Sequence, residues 1–154
     1  MGDLLGDDEF EKADLVYPKA GRLSAGVPKT IREVYDEAAR IREIAPNAFA
    51  VQIRRALEAL CEDRAAKGHS LVEKLKDLSA RAGIPPVLAE MTDVLRLIGN
   101  IGAHGVGESV HPSQASAIDE FFKAVVEYVY VAPAKLRAFK ERMKSSEKSE
   151  TEGD

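Results

Sequence analysis

The chain has 154 residues, a length that gives one domain with a sizeable core, and its 45% apolar and 31% charged side chains exclude a chain that stays disordered for want of hydrophobic surface. The net charge of −4 arises in the first 14 residues, where Asp3, Asp7, Asp8, Glu9, Glu11 and Asp14 face Lys12 alone. Beyond them 26 − 6 = 20 acids meet 22 − 1 = 21 bases, so there is no broad positive field for sequence-independent nucleic-acid binding.

Residues 1–26 mix acids, glycines and the Tyr17-Pro18 pair without helical period, and they are expected to form a flexible acidic leader whose end rests on the domain. The leader carries acids where a signal peptide needs bases and an apolar run, so secretion is not supported. The domain itself is expected over 27–144. Pro28 suits a helix start, and Ile31, Val34, Tyr35, Ala38 and Ile41 recur at three and four residues in a first helix that ends before Pro46.

Asn47 is placed to cap a second helix with Phe49, Ile53, Ala56, Leu57 and Leu60 on one stripe and Gly68 at its left-handed end. Cys61, the sole cysteine, sits beside that stripe and reads as a small buried side chain. One thiol excludes an intrachain disulfide and a thiolate zinc centre, which fits a reducing, cytoplasmic setting. Arg54, Arg55 and Glu58 on the same helix have the spacing of an ordinary ion pair, with Arg55 as a candidate phosphate contact if it turns toward His104.

Ser70 followed by Glu73 is a capping box for a third helix bearing Leu71, Leu75, Leu78 and Ala82 and stopped by Gly83. After Pro85 and Pro86 a fourth helix turns Leu88, Met91, Leu95 and Ile98 inward and runs through its glycines to about His104. The fifth begins near Pro112 and Ser113, buries Ile118, Phe121, Phe122, Val125 and Val129, and is kinked or restarted by Pro133 toward Leu136, Phe139 and Met143. Its most apolar stretch, 121–134, is interrupted by Lys123 and Glu127, so no membrane span is expected. Residues 145–154 hold no apolar side chain and are expected to be disordered. Short connections between amphipathic helices imply an all-α, up-and-down bundle of four to five helices.

Four glycines fall within nine residues, from Gly99 to Gly107, directly after Arg96. A phosphate-cradling loop would need a preceding strand and a Lys-Ser/Thr pair, and neither is there. Read as helix, Arg96, Asn100 and His104 share a face, with Gly99, Gly102 and Ala103 beside them to admit a second helix closely. Two readings follow. In the first the glycines serve helix contact, His104 bonds a free carbonyl and Gly105 ends the helix.

In the second, His104 removes a proton, Arg96 stabilises phosphorane-like charge and Asn100 holds an oxygen, which would cleave RNA through its own 2′-hydroxyl without a metal or cofactor. Eight residues of helix set the Arg96 and His104 backbones roughly 12 Å apart. A two-fold dimer centred near Asn100 would close that gap by pairing Arg96 of one copy with His104 of the other. His104, Glu108 and His111 have metal-ligand chemistry, but scattered loop groups are the commoner arrangement and no metal site is expected. Lys135, Arg137, Lys140, Arg142 and Lys144 read as a solvated basic face.

Tyr35-Asp36-Glu37-Ala38, Ile53-Arg54-Arg55-Ala56-Leu57-Glu58, the run Leu95-Arg96-Leu97-Ile98-Gly99-Asn100-Ile101-Gly102-Ala103-His104, and Tyr130 ahead of Pro133 together resemble the domain of unknown function 4145 family over about residues 28–140. That family is related to the HEPN superfamily of helical bundles found in prokaryotic restriction and defence proteins. HEPN ribonucleases use an Arg and a His a few residues apart at a dimer interface; here seven residues separate Arg96 from His104, and Leu97 follows the arginine. The resemblance implies a homodimeric module that takes RNA, other nucleic acid or a partner defence protein, or alternatively an endoribonuclease with Arg96, Asn100 and His104 as its site; Arg55, Gly99 and Gly102 are the candidate dimer or ligand contacts.

Overall fold

The computed structural model describes residues 23–82, 85, 94, 96, 98 and 109–153. Every regular element among them is helical: α1 (Lys29–Ile41), α2 (Pro46–Asp63), α3 (Leu71–Ala82), α4 (Pro112–Val126), a π-helical turn (Glu127–Val131) and α5 (Ala132–Thr151). Val94, Arg96 and Ile98 are helical as well.

Pro28 precedes α1 with its φ already near helical, at −52°, and α1 turns Ile31, Tyr35 and Ala38 into the core. A connection closed by the Ala45 amide on the Ile41 carbonyl leads into α2, with Pro46 in its first turn. Two contacting helices joined so briefly lie antiparallel. The centre of the molecule is α2, which buries Phe49, Ala50, Ile53, Ala56, Leu57, Leu60 and Cys61. Val27 is buried and Leu23 half-buried against the same core.

Two expectations about α2 are corrected. Asn47 does not cap it, because the helix begins at Pro46; its Oδ1 instead accepts the Val110 amide at 2.6 Å, fixing the approach to α4. Gly68 does not end it either. The left-handed residue is Ala65 at φ 51°, with the Ala66 amide on the Cys61 carbonyl and the Ala65 amide on the Glu62 carbonyl, which is a Schellman ending built without glycine. Gly68 turns the chain a second time at φ 147°, where a Cβ would stand 2.7 Å from that of Glu73.

The Ser70 box is formed in its first half: Ser70 Oγ accepts the Glu73 amide, but Glu73 Oε2 accepts the amide of His69, one residue before the cap, rather than that of Ser70. Glu73, Asp77 and Arg81 recur every four residues along one edge of α3 and hold successive groups of the 64–69 connection. Asp77 takes the Lys67 amide, while Arg81 reaches the carbonyls of Arg64 and Ala65. The end of α3 therefore returns to the end of α2, whereas a plain up-and-down neighbour would have run back toward its start. Leu75 and Leu78 are buried from α3, and Ile98 joins them from the following helical stretch.

His111 caps α4 through Nδ1, which accepts the Ser113 amide, and Gln114 Oε1 returns the favour to the His111 amide. Ala115, Ile118, Phe121, Phe122, Val125 and Val126 are buried, and the Phe122 ring stacks on Tyr35 at 5.2 Å between centroids. Pro133 does not restart the chain, because the π-turn carries α4 into α5 without a break. The Val129 carbonyl, which an α-helix would bond to the N–H of residue 133, accepts from Arg64 Nη2 at 3.2 Å. The polar tail is helix as far as Thr151 rather than disordered chain; it is solvent-exposed, and Ser145, Ser146 and Thr151 hydroxyls donate to carbonyls one turn back.

Candidate functional site

Of the residues singled out after α3, Arg96 is described: it is helical and exposed, while Ile98 two positions on is 1% exposed and Val94 is half-buried. Two helical positions apart is a rotation of about 200°, so a guanidinium opposite a buried isoleucine is what an amphipathic helix produces. Asn100, His104, Gly99 and Gly102 lie outside the described residues. Before them Ile98 is in the core, and after them Val110 is buried and tied to Asn47.

Arg55 is exposed on α2 and donates to Gln52 Oε1 at 3.3 Å. The expected ion pair is Arg54 with Glu58, at 3.2 Å. His111 spends its Nδ1 on the α4 cap and the Ser113 hydroxyl, which removes that nitrogen from metal ligation; among the described residues no three His, Cys, Asp or Glu side chains converge on a metal site. Cys61 is buried, and burial pushes its thiol up to about 11, so it is a poor nucleophile at neutral pH. No described helix is long and apolar enough to cross a membrane.

Two polar centres escaped the sequence reading. Asp119 is 3% exposed, yet it lies on the inward face of α4 between Ala115 and Phe122. Its Oδ1 accepts the Tyr35 phenol at 2.7 Å, and its Oδ2 meets Arg42 Nη1 at 3.1 Å and Lys123 Nζ at 3.0 Å. A buried carboxylate is tolerable because three donors replace its water. Burial first, then the bond to Asp119 and its negative charge, push the Tyr35 hydroxyl far above the ordinary tyrosine range. The available signal was positional, an acid four residues after one core residue and three before another.

The second centre sits on the π-turn. Tyr130 donates to Asp63 Oδ2 at 2.6 Å, and the Arg64 guanidinium lies 4.6 Å above its ring. Here too burial leads, followed by the Asp63 bond, in raising the phenol well above its usual range. Both centres join helices distant in sequence through groups already satisfied by one another, which is the arrangement of structural clamps. The outward cation of Arg96 is exposed, and it is the candidate for ligand contact.

A family model described as Domain of unknown function (DUF4145) matches residues 36–145, from the middle of α1 into α5. No curated protein and no solved structure matches the chain.

Proposed function

The chain belongs to the DUF4145 family, and from that premise we propose that it is a HEPN-like helical module of a prokaryotic defence or restriction-type system, dimerising through the Arg96–Gly107 region and binding nucleic acid or a partner protein without cutting it. The observation that supports this reading is Arg96 itself, an exposed guanidinium on a helical stretch held to the core by Ile98. Arginine presents a planar fork of donors suited to phosphate or carboxylate, and a fork on an anchored helix loses little freedom when it binds. Asn100 and His104 follow at intervals of four, and Gly99 and Gly102 would let a second helix approach. Two copies antiparallel about Asn100 would then form one continuous polar seam.

The same exposed cation favours a second reading, a metal-independent endoribonuclease assembled across the dimer. His104 would take the proton from the RNA 2′-hydroxyl as it attacks the adjoining phosphate. Arg96 of the other copy would stabilise the charge, Asn100 would orient the phosphate, and the 5′-hydroxyl would leave with a proton, giving a 2′,3′-cyclic phosphate.

One set of measurements separates them. Sedimentation at micromolar concentration is expected to show a dimer that Gly102→Leu dissociates. Structured RNA incubated in EDTA with the intact dimer is expected to stay uncut, and Arg96→Ala to weaken RNA or partner capture. Cleavage by the parent chain and not by His104→Ala would replace the module with the nuclease; a parent chain that stays monomeric would end both.

A further inference from the structure

Leu136, Phe139 and Met143 project from α5 with 62%, 56% and 51% of their surfaces exposed. Their spacing of three and four places them on one stripe. At about 100° per residue that stripe is bordered by Lys135 and Arg142 on one side and by Lys140 and Lys144 on the other, with Glu141 on the opposite face. Residues 132–144 hold five bases and one acid, a net charge of 5 − 1 = +4.

The stripe thus has an apolar centre and two basic margins. A second copy of α5 is a poor occupant, because in either orientation it sets base against base along both margins. The surface fits an acidic segment that carries a few apolar side chains. Such a segment exists in this chain: residues 1–14 have six acids against one base, a net of −5, with Leu4, Leu5 and Phe10 among them.

Topology brings the two within reach. Because α1 and α2 are antiparallel, the start of α1 lies at the end of α2, where Asp63 holds Tyr130 and Arg64 holds Val129. α5 departs from that same end. The 22 residues preceding Leu23 can extend to roughly 70 Å, more than twice the ~30 Å length of α5.

We propose that the acidic leader, residues 1–14, docks in cis along the Leu136–Phe139–Met143 stripe of α5, its carboxylates meeting Lys135, Lys140, Arg142 and Lys144. The contact is independent of the Arg96 surface, so either can fail without the other. It makes α5 a face that an external acidic partner must win from the leader.

The test uses the full chain with a nitroxide on Asp8→Cys; buried Cys61 stays unlabelled under native conditions. Backbone amide signals of residues 135–144 are expected to lose most of their intensity by paramagnetic broadening, equally at low and high protein concentration. Adding Lys135→Glu, Lys140→Glu and Arg142→Glu is expected to restore the signals with the thermal transition unchanged, because these side chains are exposed. Three results would overturn the proposal: no broadening, broadening centred on another surface, or broadening seen only when label and isotope are on different copies, which would make the occupant a second molecule.

Discussion

Arg64 supplies to the Val129 carbonyl the hydrogen bond that Pro133, lacking an N–H, withholds. The same guanidinium covers the Tyr130 ring, so one side chain holds both the backbone and the aromatic group of the π-turn. Arg64→Ala is expected to destabilise the protein by about 1–2 kcal/mol, given the part-exposed setting of the arginine. Arg64→Lys is expected to recover a fraction, since an ammonium bonds a carbonyl but matches a ring face less well. Urea unfolding of the three proteins measures this; equal midpoints would show that the turn holds without the arginine.

The Tyr35–Asp119 bond crosses 84 positions of sequence, and its loss is expected to be asymmetric. Tyr35→Phe removes one of three donors and keeps the ring on Phe122, costing about 1–2 kcal/mol. Asp119→Ala strands a buried phenol and two cations that are themselves part-exposed, costing about 3 kcal/mol. A double-mutant cycle should give a coupling on the order of 1 kcal/mol. Additivity of the two substitutions would mean that the contact contributes nothing of its own.

Alkaline pH should weaken the fold. Both Tyr35 and Tyr130 have phenols raised above the ordinary value of about 10, so the folded chain keeps protons that the unfolded chain gives up. Stability falls with pH wherever the unfolded state binds fewer protons; this contribution is complete below pH ~10 and is lost as pH rises beyond it. Thermal midpoints measured from neutral to alkaline pH are expected to drop above ~10, and Tyr35→Phe is expected to lessen the drop. A parent chain with the same slope as the variant would remove Tyr35 from the account.

The two turns after α2 make opposite predictions for the same pair of residue types. Ala65 occupies a left-handed position that glycine fills more easily, and it is exposed, so Ala65→Gly is expected to stabilise by about 0.5–1 kcal/mol. Gly68→Ala would force a Cβ to 2.7 Å from Glu73 Cβ at a φ that side chains avoid, and it is expected to cost about 1–3 kcal/mol. Chemical denaturation of both variants checks the signs; a neutral Gly68→Ala would show that the connection shifts freely.

Helical period made most of the core readable in the sequence. Ile31, Tyr35, Phe49, Ile53, Leu57, Leu75, Ile98, Ile118 and Phe122 are buried as their spacing requires. What local pattern did not reveal was how polar groups are shared over distance. Asn47 sits where a cap belongs, yet it serves an amide 63 residues away. Asp119 looks like one more surface acid until Tyr35, Arg42 and Lys123 are seen around it. The tail illustrates the converse: apolar content forecasts burial, and 145–151 are indeed unburied, but helix can continue from an existing end without any burial because elongation needs no new nucleus. For the candidate site, Arg96 was legible as the outward residue of its turn; Asn100 and His104 lie beyond the described residues.

Phe122, Val129, Leu136 and Met143 recur every seven positions, a period that an unbroken α-helix would keep nearly in line. The first two are buried and the last two are exposed, and the π-turn falls among them. Its additional residue sets everything downstream back by roughly 100°. α4 and α5 therefore differ in phase, and α5, which buries no residue on any face, carries its apolar side chains in water. Deleting one of the five residues of the turn would restore plain α-helix without turning the downstream face, because one residue fewer and the lost ~100° of unwinding cancel, so α5 would keep its stripe and its lysines on the side they now occupy.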